Sequence, residues 1–208
     1  TNLGHCHPAV TAALQRQAEQ LVHVSNLHYS EPQSRLAELL CEHSFGERVF
    51  LCNSGAEANE AALKAARRYG HRNGDRYEVL TALGSFHGRT FATIAATGQE
   101  KVRRGFEPSL PGFRYVPFGD AQAAADAVGP STVAILVEPV QGEGGVVPPP
   151  ASYLRDLRRL CDERDLLLLF DEVQTGCGRT GSLFAYEQFD CAPDVMTLAK
   201  SLGNGVPV

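Results

Sequence analysis

The chain has 208 residues, a hydrophobic fraction of 43% and a formal net charge of -5, enough length to bury a substantial core in one large domain or two small ones. The acidic balance gives no support to nucleic acid or an anionic membrane as a general partner, because phosphate selects basic surfaces, and small-molecule chemistry becomes the default. Six cysteines without a C-x-x-C pair or a tight cluster argue against a disulfide framework and a zinc knuckle and fit a reducing, cytosolic setting. No apolar stretch approaches the about 20 residues of a membrane span, and the opening residues show neither the charged nor the apolar region of a secretory leader. Both ends read as cut: the first residue is Thr1 rather than Met, and "GNGVPV" stops inside a loop. An internal piece of a longer protein is expected.

In chain order, two helices are expected at about 8–22 and 32–44, the second opened by Ser30 and Gln33 at capping-box spacing with Pro32 in the first turn. Apolar runs bounded by turn residues then recur at 48–54, 77–84, 113–118, 132–139, 166–173 and 195–200, several without alternation, as in strands covered on both faces. Helical stretches lie between them, "GAEANEAALKAARRYG" after the first, "DAQAAADAV" after the third and "SYLRDLRRLCDER" after the fourth. Alternating strand and helix predict an α/β domain with a mostly parallel sheet flanked by helices. We divide the chain into an N-terminal helical part, 1–47, and an α/β part, 48–208, of one large domain. Ligands of such sheets bind outside the carboxyl ends of the strands, so the residues that end strands carry the functional reading.

Three of those ends stand out. "RVFLCNS" runs into "SGAEANEAALKAARR", where Ser54 and Glu57 fit a capping box and Gly55 and Ala56 leave room for an anion at the N-terminus of a helix. The run of four leucines and a phenylalanine at 166–170 leads into Asp171, a carboxylate that needs a fixed cation or donor nearby if it is buried. Lys200, one of only three lysines, ends the apolar "VMTLA" before a flexible turn, and a lysine desolvated there becomes an amine nucleophile able to form a Schiff base. An anion cradle, a buried carboxylate and an amine at the ends of one sheet are what pyridoxal 5'-phosphate requires for its phosphate, its ring nitrogen and its aldehyde. The pyridinium of that cofactor is then the expected partner of Asp171.

Other strand ends add to this. "GSFHGRT" offers Phe86 to stack on a flat ring and Arg89 to fork a carboxylate, and "VEPVQGEGG" offers Glu138 and Glu143 as paired carboxylates for acid and base work. Two motifs point elsewhere. Gly176, Gly178 and Gly181 match G-x-G-x-x-G with Asp194 downstream, yet the stretch that follows soon reaches a proline instead of opening the long helix of a dinucleotide site. His5, Cys6 and His7 lack a second cluster to complete a metal's ligands.

"NLGHCHPAV", "NSGAEANEAALKAARRYG", "SFHGRTFATIAATGQEK", "VEPVQGEGG", "DEVQTGCGRTG" and "LAKSLGNGVPV" occur in this order and closely resemble the class III aminotransferases of fold type I, within them most of all the acetylornithine aminotransferases. The resemblance implies a pyridoxal-phosphate enzyme of arginine biosynthesis that moves the terminal amino group of N-acetylornithine to 2-oxoglutarate. Succinylornithine, ornithine, succinyldiaminopimelate and 4-aminobutyrate transaminases share much of the pattern; His87, where an aromatic residue would otherwise stand, leans the reading towards acylated ornithine. By the same resemblance Lys200 forms the internal aldimine and shuttles the proton, Asp171 pairs with the ring nitrogen and Gln174 hydrogen-bonds the phenolic oxygen. Gly55 and Ala56 hold the phosphate, Phe86 stacks on the ring, Arg89 binds a substrate carboxylate, and Glu143 is the switch glutamate. It further implies a cytoplasmic homodimer whose site is completed by the partner subunit, an N-terminal segment before Thr1, and an arginine for Glu143 and a small C-terminal domain beyond Val208. The isolated piece is then expected to bind cofactor weakly and to be inactive.

Overall fold

The fold is described from a computed structural model covering residues 1–25 and 27–207; Val208, at the end of the last motif, lies outside the described residues. Five strands, β1 (Glu78–Ala82), β2 (Phe113–Val116), β3 (Thr132–Val137), β4 (Leu167–Asp171) and β5 (Val195–Thr197), form one sheet in the order β2-β1-β3-β4-β5. Every pairing is parallel, so all five carboxyl ends lie at one edge. All six residues of β3 are buried, as a central strand covered on both faces requires. The expected α/β class with a mostly parallel sheet is the one observed.

Pleating sends alternate residues to opposite faces, and the leucine run shows what that does. Leu168 and Phe170 join Leu80, Ala82, Ile135 and Val137 on one face, where Tyr153, Leu154 and Leu157 cover them. The other face takes Val79, Leu136 and Leu169, packed against Leu63 and Ala66. Three helices supply these covers: α3 (Gly55–Arg72) on the second face, and α6 (Ala121–Ala127) and α7 (Tyr153–Arg164) on the first. Each large apolar side chain buried this way contributes about 1.5–3 kcal/mol.

The remaining helices are α1 (Pro8–Ala18), α2 (Glu31–Glu42), α4 (Phe91–Ala96) and α5 (Glu100–Arg103). Neither α1 nor α2 has a buried residue. The start of the chain is tied to the other end: the Leu3 amide donates to Asn204 Oδ1 at 3.1 Å, and the Asn204 side chain donates back to the Gly4 carbonyl at 3.2 Å.

Four expectations need correction. Residues 48–54 form no strand: they have no neighbouring strand among the described residues, and Phe50 in the middle of the run is exposed. The run at 195–200 is strand only to Thr197, and Lys200 opens a short 3-10 turn. Helices α4 and α5 occupy a stretch for which no helix was expected. Ser30 does stand at the N-cap of α2, with Pro32 in the first turn, but its side chain makes no capping bond because the hydroxyl does not meet the helix amides.

Candidate active site

Asp171 is the last residue of β4 and follows the parity of Leu167 and Leu169, so its carboxylate emerges on the face covered by α3. Its register partner on β5 is Thr197, which faces the same way. Between them stands Asn59, in the second turn of α3 on the helix stripe that buries Ala62, Leu63, Ala66 and Gly70. The Asn59 amide donates to Asp171 Oδ2 at 2.7 Å and to the His87 carbonyl at 2.8 Å, and accepts from the Thr197 hydroxyl at 2.8 Å. His87 Nδ1 lies 2.8 Å from the same Oδ2, and the Val173 amide donates to Oδ1 at 3.0 Å. The chain itself therefore supplies partners for the buried carboxylate, where the sequence reading looked to a cofactor alone.

A cavity of about 420 Å³ opens over this carboxylate, a size typical of small-molecule and cofactor sites. Every site residue expected from sequence lines it: Gly55, Ala56, Phe86, Arg89, Glu143, Asp171, Gln174 and Lys200. The N-terminus of α3 forms one side. Ser54 caps it, its hydroxyl accepting from the Glu57 amide at 3.2 Å, while Glu57 reaches back to the Asn53 amide at 2.7 Å. The amides of Gly55 and Ala56 stay free for an anion, as the first amides of any helix are without intrahelical partners. Gly55 is also a packing requirement: a Cβ there would sit 2.7 and 2.9 Å from the two γ-carbons of Val173.

The loop after β1 brings Phe86, half-buried, and Arg89, exposed, whose guanidinium lies 5.9 Å from the Phe86 ring centroid. The loop after β3 brings Glu138 and Glu143, which the sequence reading grouped as one pair. Their environments separate them. Glu143 is exposed, whereas Glu138 is buried, accepting from the Phe86 amide at 3.0 Å and the Gly142 amide at 3.2 Å. Burial pushes the Glu138 carboxyl up to about 7, Asp171 adding to the rise and the two amides, together with His87 whenever its imidazole is charged, opposing it.

Lys200 lines the same cavity with φ at +44°, a left-handed conformation that costs a non-glycine residue energy and clusters at functional sites. It is exposed in this chain, so the expected desolvation of its amine is not provided by the described residues. Gln174 is half-buried with its amide folded over Gly142. The glycine motif at 176–181 forms turns followed only by the short 3-10 segment Ala185–Phe189, which is no dinucleotide fingerprint.

Sequence reasoning missed Asn59 and Thr197 and gave His87 only a substrate-related part. The one signal for Asn59 was a polar residue on an otherwise small and apolar stripe of α3, which demands buried partners.

The sequence profile described as Aminotransferase class-III matches residues 1–208. An acetylornithine aminotransferase of Caldanaerobacter subterraneus subsp. tengcongensis is 53% identical over 209 residues, covering 100% of this chain and 53% of its own. One from Myxococcus xanthus is 56% identical over 208 residues, covering 99% and 52%. Among solved structures, the N-acetylornithine aminotransferase of Stenotrophomonas maltophilia K279a superposes with a TM-score of 0.84 at 44% identity, covering 99% of this chain and 52% of that one. The ornithine aminotransferase of Toxoplasma gondii reaches 0.93 at 37% identity, covering 98% and 50%, and is described in one crystal form with pyridoxal phosphate at partial occupancy in its active site. The chain spans about half the length of the curated relatives it matches. It belongs to the class III aminotransferases.

Proposed function

We propose that the full-length protein is a pyridoxal-phosphate-dependent acetylornithine aminotransferase, moving the terminal amino group of N2-acetylornithine to 2-oxoglutarate in arginine biosynthesis, as a cytoplasmic homodimer. The observation that carries the reading is the meeting of a buried carboxylate, a free helix N-terminus, an aromatic face and a strained lysine around one cavity. The residues fit the cofactor: the cradle at Gly55 admits no side chain, the chemistry of its free amides suits a phosphate, and the buried Asp171 suits a cationic ring. The named amino donor is supported by the relatives at 53% and 56% identity.

When bound, pyridoxal phosphate supplies an aldehyde and a ring that withdraws electrons from the carbon being deprotonated. Gly55 and Ala56 would hold its phosphate, Phe86 one ring face, Gln174 the phenolic oxygen and Asp171 the ring nitrogen. The Lys200 amine would hold the aldehyde end and afterwards take and return the substrate's proton. Arg89 orients a substrate carboxylate through its planar fork, and Glu143, exposed and lining the same cavity, is the carboxylate that discriminates between the two substrates. Residues 1–47 are the N-terminal helical part of the same large domain whose cofactor-binding part is 48–208.

The test uses the full-length protein. Borohydride reduction with pyridoxal phosphate, followed by peptide mapping, should label Lys200 and no other residue, and Lys200→Ala should abolish the label. A folded protein without label at Lys200 refutes the reading. Comparing kcat/KM for acetylornithine, succinylornithine and ornithine then decides the amino donor, and a higher value for either of the latter two overturns the acetyl assignment.

A further inference from the structure

The mechanism outlined for Asp171 needs more than burial: the carboxylate has to stay ionised and keep one aspect towards the cavity. Four buried side chains bear on this. Asn59, His87, Asp171 and Thr197 are 1%, 2%, 4% and 4% exposed. The orientation of the Asn59 amide is settled by chemistry, since its nitrogen faces two acceptors, Asp171 Oδ2 and the His87 carbonyl, and its oxygen faces the Thr197 hydroxyl. The His87 backbone is clamped at both ends, its amide donating to Thr97 Oγ1 at 3.0 Å and its carbonyl accepting from Asn59. The imidazole is thereby delivered to the Oδ2 atom that Asn59 already holds.

Nδ1 of His87 faces an oxygen that only accepts while Asp171 is ionised, so Nδ1 carries the hydrogen. Nε2 is buried and has no partner among the described residues. A proton there would leave an N–H donor without an acceptor, which costs more than leaving a bare lone pair. We infer that Asn59 and His87 are positioning residues for Asp171, with His87 held neutral as the Nδ1–H tautomer so that the carboxylate keeps its full charge for a cationic ring. The titratable groups that bear on this imidazole are Asp171 from β4, whose Oδ2 it meets, and Glu138 from the loop after β3, while Asn59 from α3 holds the same Oδ2 and the His87 carbonyl. The inference rests on the proposed role of Asp171 towards the cofactor.

Two measurements on the full-length protein test it. The first is the 15N spectrum of selectively histidine-labelled protein without cofactor, assigned with His87→Asn, which should show a protonated Nδ1 and a bare Nε2 at His87. A protonated Nε2 overturns the inference, whatever the enzyme's reaction. The second is the affinity for pyridoxal phosphate, read by fluorescence. His87→Leu and Asn59→Leu should each weaken it roughly ten- to hundredfold, the loss expected when one hydrogen bond to a charged group is removed. His87→Asn, which keeps a donor near the position of Nδ1, should recover much of that loss. Equal affinity in wild type and both leucine variants, or a His87→Asn variant no better than His87→Leu, refutes positioning. A wild-type protein that takes up no pyridoxal phosphate sinks the proposed function and leaves the tautomer result standing on its own.

Discussion

Glu138 gives the most direct access to the electrostatics of the site, because its two amide donors favour its charge while burial and Asp171 oppose it, and burial wins. An acid whose folded pKa is about 7, against an ordinary 4.5, binds a proton in the folded state across that interval while the unfolded chain has already lost it. Stability therefore falls as pH rises from about 4.5 to about 7 and levels off above it. The interval corresponds to about 3 kcal/mol. Glu138→Gln removes the titration and, since glutamine has one acceptor oxygen, leaves either the Phe86 or the Gly142 amide short of a partner. The assay is the urea-unfolding free energy of the full-length protein without added cofactor, wild type minus variant, between about pH 5 and pH 8. The subtraction cancels every titrating group that does not interact with Glu138. Over that range the wild-type advantage should shrink by about 2.5 kcal/mol towards the upper end. A flat difference, or one that grows with pH, means that the charge-favouring contacts of the carboxylate outweigh burial, and refutes the reasoning.

Two further predictions follow from the packing around this centre. A Cβ at Gly142 would lie 1.5 Å from Gln174 Oε1, the free end of a flexible side chain, so Gly142→Ala should swing that amide away at a stability cost within about 0.5 kcal/mol while weakening cofactor uptake. Combined with Gln174→Ala, the second change should add nothing further in a double-mutant cycle of pyridoxal phosphate affinity. Glu172, buried with its carboxyl pushed up by desolvation, accepts from the amides of Ala185 and Tyr186 and the hydroxyl of Thr175. Glu172→Leu should strand those donors, cost about 3 kcal/mol or more in urea unfolding, and expose 173–184 to limited proteolysis.

The legibility of this chain tracks how local each cause is. Asp171 was readable as a buried carboxylate because a run of apolar residues announces a covered strand, and strand parity then decides which face the next residue takes. The cradle at Ser54 and Gly55 was readable because a helix cap is a matter of a few consecutive residues, and Ser54 does accept from the Glu57 amide. What escaped was non-local. Residues 48–54 carry the apolar content of a strand, but a strand also needs a neighbour to pair with, which sequence content cannot supply. The six and four residues of α4 and α5 are too short to display a helical period. Asn59 and Thr197 meet Asp171 from 112 and 26 positions away in sequence, a juxtaposition set by the packing of α3 on the sheet. Lys200 was legible as a rare lysine after an apolar run, whereas its left-handed backbone and its exposure depend on how the chain leaves β5.

The site divides into a floor and a rim with different physics. Asp171, Asn59, His87, Thr197 and Glu138 are buried and tied to one another or to backbone amides, so their dipoles are fixed before any ligand arrives, and fixed dipoles in a low dielectric stabilise charge without reorganising. Lys200, Arg89 and Glu143 are exposed in this chain, and no ion pair holds any of them among the described residues. Under the proposed reaction two substrates of different charge, N2-acetylornithine and glutamate, use one place in turn, which a rigid rim could not allow. The division therefore predicts separable phenotypes: changes in the floor alter how tightly the cofactor is held for every substrate alike, while changes at Arg89 and Glu143 alter the ratio of kcat/KM between the two substrates with cofactor affinity unmoved. A floor variant that changed that ratio alone would mean the buried network reaches the substrate directly, and the partition would fail.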